Sequence, residues 1–252
     1  MTAVPQWRTT TEPESRRPVF AAALVIIAGQ AWVARSLGLD PFWLLPAVST
    51  ALLVASIAVY EAPGEPGRVA RVLSHALNFV LVAATAACLV LLIRGVFVGT
   101  NLRPPVLLFS GLALWVVNLG VFALIYWELD GGGPEARAAG YQGRFPDLVF
   151  PQQQADQQYL APEAWKPVFY DYLYVSLTSS IAFSLTDAMP YSRWAKLAMG
   201  AESVLSFATL AVIVARAVNI ARCRRAPGRR RTMKSSTPAS SSSNTTPPDA
   251  PH

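Results

Sequence analysis

Charge is scarce in this sequence. Asp, Glu, Lys and Arg make up 14% of its 252 residues, against about a quarter in an ordinary soluble domain. That shortage argues against a soluble single-domain enzyme. Histidine is scarcer still, with only His75 and His252, so a His-rich metal site or a His-based triad is improbable by count. The two cysteines, Cys88 in an apolar run and Cys223 beside a basic tail, do not suggest a pair, which leaves no disulfide framework and no zinc cluster. Paired carboxylates inside apolar runs are missing, and no internal repeat is visible, so a membrane-embedded enzyme or secondary transporter has little support. The run Gly131-Gly132-Gly133 lacks a following Lys-Ser/Thr and is a weak phosphate loop. The expectation is therefore no catalytic residue, no metal and no cofactor.

Apolar residues are what the chain has in excess: 53% are hydrophobic and the mean hydropathy is +0.35. That is too apolar for a disordered protein. The net charge of +6 is local, since Arg222, Arg224, Arg225, Arg229, Arg230, Arg231 and Lys234 lie together with no acid among them. No basic face with interleaved aromatics occurs elsewhere, so nucleic acid is not an expected partner.

A bilayer core of about 30 Å needs roughly 20 apolar residues in a helix. Pro18–Ala34, Pro41–Tyr60, Val72–Ile93 and Pro104–Trp127 are free of Asp, Glu, Lys and Arg, and Leu197–Val218 interrupts its apolar run only with Glu202 and Arg216. Each reads as a transmembrane helix, because lipid forces every backbone amide to bond internally. Trp32, Trp43, Tyr60, Tyr126 and Trp127 stand near span ends, where amphipathic rings favour the headgroup region. The first span follows Arg16 and Arg17 but lacks a good small-x-small cleavage site, so it reads as an anchor and not a removed signal.

The chain divides into an N-terminal tail (1–17), three spans (18–103), a module at 104–221, and a basic, then Ser/Thr/Pro-rich, disordered tail (222–252). The module holds an outer helix (104–127), an acidic connection (128–167), an aromatic and hydroxyl-rich segment (168–190) and a last helix (191–221). The connection carries six acids and three bases. Loops of that length are usually functional or partly ordered. Glu128, Asp130 and Glu135 either gather cations at a pore mouth by their field or belong to a solvated acidic loop. Segment 168–190 is long enough to cross a membrane but is full of Tyr, Ser and Thr, with Asp171 and Asp187 near its ends. Such sequence is tolerated at membrane depth where protein or water surrounds it, which describes a re-entrant loop.

These residues resemble the pore domain of potassium channels: a pore helix, a selectivity filter and an inner helix. Ser179-Ser180-Ile181-Ala182-Phe183-Ser184 stands where that family has Thr-Thr-Val-Gly-Tyr-Gly, and Asp187 and Pro190 stand where its filter Asp and following Pro lie, after Leu185 and Thr186 are added. Glu202 and Ala215-Arg216 match an inner-helix spacing common in bacterial two-helix channels. The chain also resembles uncharacterised bacterial membrane proteins that end in such a hairpin. Counted with the outer helix, the likeness covers about half of the chain. Both filter glycines are replaced, by Ala182 and Ser184, and the hinge glycine by Ser206. Those glycines reach backbone angles that residues with a Cβ disfavour, so the likeness supports a pore-loop fold more than a potassium-selective carbonyl ladder.

The resemblance implies a homotetramer, with a monovalent cation passing Ser179 to Ser184 and Asp187 at the mouth. It puts Glu202 behind the filter, where pairing with a hydroxyl or Arg is favoured over facing a water-filled cavity. Arg216 reads as a snorkelling anchor. Gln30, Asn78 and Asn118 read as interhelical hydrogen-bonders. Arg94 lacks the repeated spacing of a voltage sensor. The fold expected is an all-α membrane protein of five spans plus the re-entrant element, in a bacterial plasma membrane, with a cytoplasmic C-terminus. The basic tail would lie against anionic lipid, each charge near the surface contributing about 1 kcal/mol. The charge rule pulls the other way on span number. Five spans divide Lys and Arg outside the last helix ten and ten, whereas six spans give fifteen inside and five outside.

Overall fold

The computed structural model describes residues 10–12, 14–62, 67–97, 104–154, 165–181 and 188–224. It is mostly helical, and five helices are long and apolar enough to cross a membrane. The chain is a multi-pass membrane protein. The crossing helices are α1 (Arg17–Ser36), α2 (Leu44–Glu61), α3 (Arg68–Phe97), α4 (Pro104–Leu129) and α7 (Arg193–Arg224). Between α4 and α7 lie the short α5 (Pro134–Ala138) and the 13-residue α6 (Phe169–Ile181). Two 2-residue strands, β1 (Leu148–Val149) and β2 (Met189–Pro190), pair antiparallel, with Val149 opposite Met189 and Leu148 opposite Pro190.

The sequence-level helices start and stop close to these boundaries. Pro18 and Pro104 sit in first turns, where a missing N–H costs nothing. Helix α3 runs longer than its apolar core because Arg68 and Arg71 extend it by a turn at the polar end.

Helix α4 is the hub, packed on α1, α3, α6 and α7. Lipid gives helices no hydrophobic reason to associate, so close packing and polar contacts hold them. Both operate on α4. Gly120 lets Ile26 of α1 come so near that a Cβ there would lie 2.8 Å from Ile26 Cγ1. In α1, Gln30 donates to Leu81 O at 2.8 Å and to Thr85 Oγ1 at 2.9 Å on α3, as expected for an interhelical amide. Asn118 does the same between α4 and α7, donating to Ser206 Oγ at 3.0 Å. Asn78 lines a crevice among α1, α2, α3 and α4 with Ser56, Ser74 and Glu128, while His75 is on an exposed face of α3.

The hydrogen bonds also fix direction. Residues 14–16 of the N-terminal segment contact Trp127, Glu128 and Glu135 at one end of α4. Arg216, near the end of α7, donates to Gly95 O of α3 at 3.1 Å, at the opposite end of the bundle. The N-terminal segment and the end of α7 thus lie at opposite ends, as an odd number of crossings requires.

The 128–167 connection is folded where it is described. Glu128 to Gln154 form α5, three short 3-10 turns and β1, packed over the end of α4 as a cap. Polar loops become ordered when their backbone groups find partners, and here a buried acid supplies them, as described below.

Candidate functional site

The site is built around α6, whose 13 residues span about 20 Å at 1.5 Å per residue. That is short of a bilayer core of about 30 Å. Its aromatic first half and hydroxyl-bearing second half meet two different environments.

At its start, α6 is bound to the cap. Phe169 N donates to Glu14 Oε1 at 2.9 Å, and Glu14 Oε2 accepts from Trp127 Nε1 at 2.7 Å, so one carboxylate ties the N-terminal segment to α6 and α4. Asp171 caps the helix by accepting from Val168 N at 2.7 Å. One turn in, Tyr172 donates its hydroxyl to Asp130 Oδ2 at 2.6 Å.

Asp130 is fully buried. Its Oδ1 accepts from the backbone N–H of Asp147 at 2.8 Å and of Leu148 at 2.9 Å. Arg137 completes the cluster: Nη1 donates to the carbonyls of Trp127 at 2.7 Å and Asp130 at 2.9 Å, and its guanidinium lies 5.0 Å from the Tyr172 ring centre. Arg137 is itself 3% exposed. The Gly131 N–H donates to Asp147 Oδ2 at 2.9 Å, closing the ring of contacts. Tyr141, buried beside this cluster, accepts from Gln153 Nε2 at 3.1 Å. Burial, and then the nearby Asp130 charge, push its phenol well above the ordinary tyrosine value. Lys166 donates to the carbonyls of Arg137 and Ala138. Partial burial and the Arg137 charge hold its ammonium below the ordinary lysine value.

Of the three acids read as either a pore mouth or a solvated loop, Glu128 and Asp130 are buried in this chain. Asp130 faces inward, and Glu128 is 6% exposed and ion-paired with Arg16 at 3.5 Å. Glu135, also paired with Arg16, keeps a partly exposed side chain. Arg16 lies 3.7 Å from the Tyr60 ring centre and 5.0 Å from that of Trp127. Pairing explains the difference: Arg16 and backbone donors in reach offset the desolvation cost of acids near the end of an apolar helix, so they face inward.

Deeper in, α6 meets α4 and α7. Ser176 donates to Leu119 O at 2.7 Å and is also hydrogen-bonded to Glu202 Oε1. Tyr126 donates to Glu202 Oε2 at 2.6 Å. Glu202 is thus tied to hydroxyls of α4 and α6. Neither ion pair among the described residues involves it. One residue on, Ser203 donates to Ser179 O at 3.2 Å, and Ser180 donates back to Leu177 O at 2.9 Å. Ser179 and Ser180 are buried and Ile181 is exposed. Ser206, in place of a hinge glycine, is a fully buried acceptor for Asn118. Arg216 donates to the Gly95 carbonyl at the far end of the bundle. Ala182, Phe183, Ser184 and Asp187 lie outside the described residues, as do most of the basic tail and residues 155–164 of the connection.

No known protein family, curated protein or solved structure matches this chain.

Beyond residue 187 the chain is at the cap once more. Met189 and Pro190 pair with β1, and Tyr191 N donates to Asp147 O at 2.8 Å. This strand pair was not foreseen from the sequence, because two residues are too few to show a period. Tyr126 and Trp127 were expected as headgroup rings but are fully buried, since Glu202 and Glu14 accept from their polar tips. Trp32 and Trp43 keep the exposed positions expected of a belt. Asp147, Arg137 and Tyr172 carried no sequence signal of their own. The length of the connection was the one sign that it is partly ordered.

Proposed function

We propose that this is a pore-loop cation channel or channel-like protein of the plasma membrane, assembled from four copies. In this reading, α4 is the outer helix, α6 the pore helix, and α7 the inner helix. The observation that carries it is the path of the chain around α6. The helix starts at the cap, packs Ser176 and Ser179 against α4 and α7, and is too short to cross. The chain then pairs with the same cap through Met189 and Pro190. That path supports a re-entrant element whose narrow part is Ser180-Ile181-Ala182-Phe183-Ser184, with Asp187 at its mouth. One hairpin cannot enclose a pore, so further copies are needed.

The basic tail supports one orientation. Arg222 and Arg224 end α7, and five more basic residues follow. Their attraction to anionic lipid favours a cytoplasmic C-terminus. The cap and the N-terminal segment then lie outside. A second reading rests on Ala182 and Ser184: without the filter glycines, the protein keeps the pore-loop fold as a non-conducting scaffold. Purified full-length protein in liposomes separates the two. Potassium or sodium flux under an applied voltage, with a tetramer by native mass, supports a channel. Absence of flux supports the scaffold, and a monomer without flux rules out the channel.

A further inference from the structure

We propose that Glu202 carries a proton in the native protein and acts as a hydrogen donor that positions α6. The assignment comes from counting hydrogens. Ser176 has one hydroxyl hydrogen, yet its Oγ lies within hydrogen-bond distance of two oxygens, Leu119 O at 2.7 Å and Glu202 Oε1. A backbone carbonyl can only accept, so the Ser176 hydrogen goes to Leu119 O. The bond between Ser176 and Glu202 then needs a hydrogen from the acid. The opposite assignment, with an ionised Glu202 accepting from Ser176, leaves two acceptor oxygens facing each other at 2.7 Å in a buried place.

The result is one ordered chain: Tyr126 O–H to Glu202 Oε2, Glu202 Oε1–H to Ser176 Oγ, and Ser176 O–H to Leu119 O. Every oxygen is used in its proper role. The chain crosses α4, α7, α6 and returns to α4, so one neutral acid fixes the depth of α6 between its two neighbours. No Lys, Arg or His hydrogen bond or ion pair to Glu202 is present among the described residues, and an unpaired buried carboxylate would be costly. Glu202 and Tyr126 are both fully buried. The inference does not depend on whether a pore conducts.

Infrared difference spectroscopy of the full-length protein in nanodiscs at neutral pH tests it. The expected result is a protonated-acid carbonyl band in the wild type that disappears in Glu202→Gln. The same band should shift in Ser176→Ala, which removes the acceptor of the acid's hydrogen, and in Tyr126→Phe, which removes the donor to its other oxygen. A wild type without the band, or a Glu202→Gln spectrum that retains it, overturns the proposal. If Glu202→Gln does not fold, the Ser176→Ala and Tyr126→Phe shifts decide, and a band unmoved in both overturns it.

Discussion

Replacing Asp130 with Ala should unfold the cap and loosen α6 together. The wild-type carboxylate accepts from Asp147 N at 2.8 Å, Leu148 N at 2.9 Å and Tyr172 Oη at 2.6 Å. Ala leaves three donors without an acceptor in a buried place and removes the acid facing Arg137. Each buried donor left unsatisfied costs about 1 to 3 kcal/mol. Partial relaxation and water entry offset some of this, so the expected loss is about 3 to 5 kcal/mol. Asp130→Asn keeps one oxygen for the two amides and loses the Tyr172 acceptor. Tyr172→Phe removes that same bond from the other side. Both should lose about 1 to 2 kcal/mol by the same accounting, and the double variant should lose less than their sum because they break one shared bond. Unfolding by denaturant in detergent, followed by tryptophan fluorescence, reads these differences, since Trp127 is buried under the cap. An Asp130→Ala protein within about 1 kcal/mol of the wild type would refute the placement of this acid as the cap's organising acceptor.

Three further outcomes are expected. Gly131 has φ 61°, and a Cβ there would meet the Tyr141 ring at 2.4 Å; Gly131→Ala should destabilise the cap by about 2 kcal/mol or more, visible as a lower Tm. Asn118→Ala removes the bond to Ser206 between α4 and α7 and should cost about 1 kcal/mol, the scale of interhelical bonds in lipid, measured by steric trapping or thermal unfolding in bicelles. Gly120→Leu places a side chain where Ile26 packs and should separate α1 from α4, increasing thiol labelling of a cysteine placed at Val117; unchanged labelling would contradict this packing.

The spans were legible because a bilayer imposes length and apolarity, and both can be counted. For Glu202 the sequence carried only a general demand, since an acid in an apolar helix must find a partner. Which partner it took was half visible: the hydroxyl run near Ser176 was noted, whereas Tyr126 read as a headgroup ring. A tyrosine's position in sequence gives its depth but not whether its hydroxyl points to water or to an acid across a helix pair. The cap was the least legible part. Asp130 holds it through backbone amides of Asp147 and Leu148, and backbone donors carry no sequence signature. The acids therefore read as a vestibule or a solvated loop, and only their burial revealed structural work.

Accessibility of single cysteines from each face of the membrane tests the re-entrant path most directly. The label sites are Phe145 in the cap, Tyr170 at the start of α6 and Tyr191 after β2, all of them exposed, with native Cys223 near the end of α7 as the opposite marker. A chain that dips and returns predicts that positions 145, 170 and 191 react from one side and Cys223 from the other. Labelling of positions 170 and 191 from opposite sides would mean that the segment crosses the membrane and would contradict the pore-loop reading.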